Sequence, residues 1–138
     1  MPLVPIARLL AAAARLAIEE LNAELARSGF GDVRPAHGYA LNAVGDGTTT
    51  SQLARRLGMT KQGAAKLVET LVREGYLDRA AHEADARASR LTLTPRGRAL
   101  LRAAEEIQAG IEARWDAPGL RDGLERIAGE DAPLRPIW

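Results

Sequence analysis

The sequence predicts a mainly α chain in which six helices carry one two-stranded β hairpin. Three observations lead there. Apolar residues recur at intervals of three and four through most of the chain, while strict alternation of apolar and polar residues is confined to Ser89–Thr94. Glycine or proline punctuates most changes of pattern.

The first helix spans Pro5 to Ala26, with Ile6, Leu9, Leu10, Ala13, Leu16, Ala17, Leu21 and Leu25 on one stripe and Ser28-Gly29 as its stop. Pro35 opens a second, shorter helix that reaches Val44 and ends at the Gly45-Asp46-Gly47 turn. A third covers Thr49 to Gly58, with Leu53, Ala54 and Leu57 on its inner face and Gly58 as C-terminal stop. Thr60 is the expected N-cap of a fourth, which runs to Glu74 with Ala64, Leu67, Val68, Leu71 and Val72 inward and Lys61, Gln62, Lys66 and Thr70 outward. Tyr76–Arg79 and Ser89–Thr94 read as strands joined by a polar hairpin, Ala80 to Ala88. Pro95 starts a long helix to about Asp116, Pro118-Gly119 breaks it, and a last helix covers Leu120 to Ala128. Two helices joined by a short glycine turn, followed directly by a hairpin with a charged tip, make a winged helix-turn-helix.

At 138 residues, 46% of them hydrophobic and 27% charged, the chain suits a single globular domain, 1–138. Cysteine is absent, which excludes disulfides, thiolate metal sites and a thiol nucleophile and suits a reducing cytoplasm. The two histidines, His37 and His82, are too far apart to form a metal-binding pair, and no metal is expected. The longest apolar runs fall short of the roughly 20 residues that span a bilayer, so no membrane contact is expected. Without a basic segment ahead of its alanines, the N-terminus reads as mature protein and not as a secretory leader. No glycine-rich phosphate loop or Gly-x-Ser-x-Gly elbow is present, so neither an enzyme nor a cofactor is expected.

The net charge of +1 hides a division: Thr50 to Arg98 carries ten basic and five acidic residues, a local +5, and the remainder is −4. A basic centre between acidic arms suits a nucleic-acid-binding module, although an uneven ordinary surface would look the same on charge alone.

These residues resemble the MarR-type bacterial transcriptional regulators from Pro35 to about Arg114. The likeness is carried in order by Ser51-Gln52-Leu53-Ala54-x-x-Leu57-Gly58, by Thr60-Lys61-Gln62 with Leu67-Val68-x-x-Leu71-x-x-x-Gly75-Tyr76-Leu77-x-Arg79, by Asp85-x-Arg87, and by Leu91-x-Leu93-Thr94-x-x-Gly97. The resemblance implies a homodimer held by terminal helices, here 1–30 and 95–138, with 35–94 as the DNA-binding lobe. Closure of a monomeric core by the same helices is the alternative. It further implies a regulator, expected to be a repressor, on a palindromic double-stranded operator; a winged-helix module that binds protein is the competing function.

On this reading Lys61 and Gln62 meet base edges in the major groove, with Lys66 one turn on. Each lysine could also lie on a plain solvated face. Gly63 and Ala65 offer no hydrogen bonds, so direct readout is expected to be sparse. Arg87 matches the family's minor-groove arginine and Asp85 the acidic residue that shapes the wing. Ser51, Arg55, Arg56, His82 and Arg90 are candidates for phosphate contact, with Arg56 equally suited to a surface ion pair and His82 to an idle loop position. A small aromatic or phenolic effector, if bound, would meet Arg8, His37 and Tyr39, although His37 is more commonly a turn or helix-surface residue.

Overall fold

The computed structural model describes residues 2–81, 89–115 and 117–130. Its order is α1 (Ile6–Arg27), α2 (Pro35–Val44), β1 (Thr48–Thr49), α3 (Thr50–Leu57), α4 (Lys61–Arg73), β2 (Leu77–Ala81), β3 (Ser89–Leu93), α5 (Pro95–Arg114) and α6 (Leu120–Ala128). The expected helices are all present, and α2 and α6 begin and end where the sequence places them.

The starts of the central helices rest on side-chain caps. Thr49 Oγ1 accepts from the Gln52 N–H at 3.2 Å while Gln52 Oε1 accepts from the Thr49 N–H at 3.1 Å, a reciprocal box that satisfies two end groups of α3. Thr60 Oγ1 accepts from the Gly63 N–H at 3.0 Å and starts α4. Between the two, Gly58 takes the left-handed conformation, φ 66°, that terminates α3.

The sheet has three antiparallel strands in the order β1-β3-β2, not the two of the sequence reading. Thr48 and Thr49 pair with Leu91 and Arg90, while β2 pairs along β3 from Leu77↔Leu93 to Ala81↔Ser89. β1 is two residues long, too short for an alternating pattern to register, and exists because β3 offers it a free edge.

Leu41, Leu53, Val68, Leu71, Leu91 and Leu100 form the centre of the core, all at most 1% exposed, and thus join α2, α3, α4, β3 and α5. Leu25 is the one residue of α1 in that core. Tyr76 and Phe30 pack with ring centroids 6.4 Å apart, and the Arg96 guanidinium lies 4.9 and 5.2 Å from the two. Gly97 is obligatory beside them, because a Cβ there would collide with the Tyr76 carbonyl oxygen. No described helix is long and apolar enough to cross a membrane. Among the described residues no cluster of three acidic or histidine side chains is placed to hold a metal ion.

Candidate nucleic-acid interface

Ala64, Val68 and Leu71 are buried along one side of α4, which fixes the helix against α3 and leaves Lys61, Gln62, Ala65 and Lys66 exposed on the other. Gly63 is half-buried at the junction. A Cβ at this position would lie 3.0 Å from Thr60 Oγ1 and 3.2 Å from Met59 Cε, so the cap leaves little room for a larger residue. Its N–H is spent on Thr60. In α3, Ser51 sits half-buried in the first turn and Arg55 is exposed. Arg56 makes no ion pair among the described residues; it donates to the Ala43 carbonyl at 2.6 Å, tying α3 to the end of α2.

Arg90 lies at the base of the hairpin with its guanidinium donating to the Asp46 carbonyl at 3.3 Å. It fills the space that a side chain at position 47 would need, which accounts for Gly47 in that turn. His82, Asp85 and Arg87 lie outside the described residues.

The ion pairs among the described residues divide the molecule. Arg27 with Glu24, Arg114 with Glu20, and Arg121 with Glu112 and Glu125 all belong to α1, α5 and α6. None involves α3, α4 or the sheet. Arg55, Lys61 and Lys66 therefore stand exposed and make no ion pair among the described residues, each able to meet a phosphate without first breaking a pair.

The three residues considered for an effector are not gathered in one place. His37 is 5% exposed, a buried residue and not the surface one that its type suggests. Its Nδ1 accepts from the Arg34 N–H at 3.2 Å, which puts the neutral ring's proton on Nε2. Burial pushes its pKa below the ordinary 6.5, opposed by nearby Glu74 and reinforced by Arg34. His37 lines an open groove of about 770 Å³ between the 31–34 loop and α4. Tyr39 lines a separate cavity of about 530 Å³ between α1, α2 and α5, with Ile18, Leu21, Leu100 and Leu101 around it. Arg8 lines neither. Arg34, Thr70, Arg73 and Glu74, which border the groove, carry no motif; the spacing of 66, 70 and 74 on one flank of α4 is the signal that would have found two of them.

Residues 32–88 match the family model of the MarR family. The crystal structure of reduced MarR from E. coli is similar over 92% of this chain and 96% of its own, at TM-score 0.71 and 18% identity. Streptococcus pneumoniae FabT in complex with DNA is similar at 0.75 and 23% identity, covering 88% of this chain and 92% of its own. The transcriptional regulator BldR from Sulfolobus solfataricus is similar at 0.67 and 23% identity, over 88% of each chain. No curated protein sequence matches. Residues 32–88 thus match the MarR family by sequence, and the chain shares the winged-helix fold of these solved structures.

Proposed function

We propose that the chain is a sequence-specific double-stranded-DNA-binding transcriptional regulator, a repressor that acts as a homodimer on a palindromic operator. The observation that carries this is the set of exposed cations on α3 and α4, Arg55, Lys61 and Lys66, none of which makes an ion pair among the described residues. Affinity for DNA comes chiefly from phosphate neutralisation, and cations already free for it lose no partner on binding. The similarity to FabT in complex with DNA supports the same reading. In it α4 enters the major groove with Lys61 and Gln62 at base edges, and Arg87, steadied by Asp85, enters the minor groove. Ser51 and Lys66 flank the helix contacts at phosphates, and Arg90 acts at the wing's base. The cavity beside Tyr39, largely apolar with Asn22, Arg34, Asn42, Glu105 and Gln108 as its polar lining, suits a small aromatic or phenolic effector that releases the operator.

Duplexes selected from a random pool by the purified chain provide the test. Binding should weaken steeply with salt. Gln62→Ala should reduce discrimination between a selected site and its single-base variant by about 1–3 kcal/mol where the contact is bidentate, with nonspecific binding nearly unchanged. Arg87→Ala should weaken many duplexes, most where an A·T step narrows the minor groove, and should flatten the salt slope. A flat salt response in the parent chain would overturn this reading in favour of a protein-binding winged helix.

A further inference from the structure

Three segments distant in sequence meet at one side chain, Arg96 in the first turn of α5. Its guanidinium donates to the Gly29 carbonyl at 3.3 Å, just past the end of α1, and to the Tyr76 hydroxyl at 3.2 Å, between α4 and β2. The same group lies over the Phe30 and Tyr76 rings. A planar guanidinium can face aromatic rings while its rim donates, which an ammonium cannot match. The anchors belong to different parts of the fold. Tyr76 is 2% exposed and sits in the core of the lobe that carries α4. Helix α1 packs along α5 and is tied to its far end by the pair of Arg114 with Glu20, but places only Leu25 in that core. Arg96 therefore stands where the α1–α5 pair joins the lobe.

We infer that Arg96 is a positioning residue for operator recognition: it fixes the angle between the α1–α5 pair and the lobe, and with it the spacing at which two copies present their α4 helices. Its charge would also suit a phosphate, but a guanidinium held by two acceptors and two rings would have to leave them to reach one. In a symmetric pair any rotation at this joint acts on both lobes at once. Half-sites of a palindrome stand a set distance apart, about one helical turn, so a firm joint admits one spacing and a loose joint admits several. A firm joint also raises the effective concentration of the second lobe once the first is bound. The consequence for spacing rests on the dimeric, DNA-binding reading above; the joint itself does not.

Arg96→Met keeps the stem and removes the cation. The variant should bind a duplex with one half-site as the parent does, bind the selected palindrome about tenfold more weakly, and tolerate one base pair inserted between half-sites that the parent rejects. A separate measurement needs no DNA. Because the chain has no cysteine, Glu19→Cys on α1 and Ala65→Cys on α4 take two spin labels, and dilution with unlabelled chain leaves one labelled copy per dimer. The distance between the labels should be narrowly distributed in the parent and broad in Arg96→Met. Should that variant not fold, Phe30→Leu, which removes one ring, should show the same changes at smaller size. Equal losses on half-site and palindrome would reduce Arg96 to a general stabiliser, and no loss on either, or an unchanged distance distribution, would also overturn the inference. A broadened distance in a chain whose parent binds no duplex would uphold the joint and overturn the DNA-binding reading instead.

Discussion

At His37 a capping bond and burial act on the same imidazole. The Nδ1 lone pair accepts the Arg34 N–H at the start of α2, and protonation would convert that acceptor into a donor facing a donor. Burial lowers the folded pKa below the 6.5 of the unfolded group, with Glu74 opposing and Arg34 assisting. The unfolded chain therefore takes up the proton first. Stability contributed by the neutral ring is complete above about pH 6.5 and is lost as pH falls below it through the folded pKa. Unfolding free energy should decline between pH 7 and 5, and His37→Gln, which keeps a capping acceptor but does not titrate, should flatten that decline. Denaturant titrations of both chains across this range check it; equal slopes would show that the imidazole plays no part. The sequence reading took His37 for a turn or surface residue, yet its spacing of three, four and seven positions from Ala40, Leu41 and Val44 puts it on the buried stripe of α2.

Among the elements, the joint between the hairpin and α5 is the most fully bonded. Thr94 Oγ1 accepts from the Gly97 N–H at 3.0 Å and donates to the Gly75 carbonyl at 2.5 Å, while its backbone N–H reaches the Tyr76 carbonyl at 3.1 Å. This gives the Leu93-Thr94-x-x-Gly97 motif a physical content: a helix cap, a bond back to the turn after α4, and a glycine that lets the chain pass close to Tyr76. Thr94→Ala should cost about 1–2 kcal/mol in thermal or denaturant unfolding, and Thr94→Ser, which keeps the hydroxyl, should recover most of it. Equal losses for alanine and serine would assign the effect to the methyl group and not to the cap. Helices α1 to α6 were legible because caps, stops and apolar spacing act within four residues. Strand β1 was not, since Thr48 and Thr49 become a strand only by meeting Arg90 and Leu91, more than forty positions away.

For the molecule as a whole, apolar surface argues for a second copy. Ile6, Leu9 and Leu16 on α1 are 70%, 54% and 62% exposed, and Ile127 on α6 is 79% exposed. Covering those side chains by the same stripe of another copy is the symmetric way to remove them from water. Light scattering at micromolar concentration should therefore give twice 14.8 kDa. Paired substitutions Leu9→Glu and Leu16→Glu, which disturb no residue of the core, should shift the mass to the monomer. A parent chain that scatters as 14.8 kDa would remove the dimer and with it the palindromic operator whose half-sites lie about one helical turn apart.

Sequence alone determined the order and limits of the helices, the basic centre between acidic arms, and the exposure of Lys61, Gln62 and Lys66, because each follows from spacing and capping along a short stretch of chain. Tertiary structure decided the rest. It turned Arg90 onto the Asp46 carbonyl, 44 positions away, and Arg56 onto Ala43, 13 away, so that two candidate phosphate contacts hold turns and helix ends together. It also divided His37 and Tyr39 between two cavities and brought Glu74 against the 31–34 loop. These contacts depend on how helices and strands cross in three dimensions, and no residue's near neighbours carry that information.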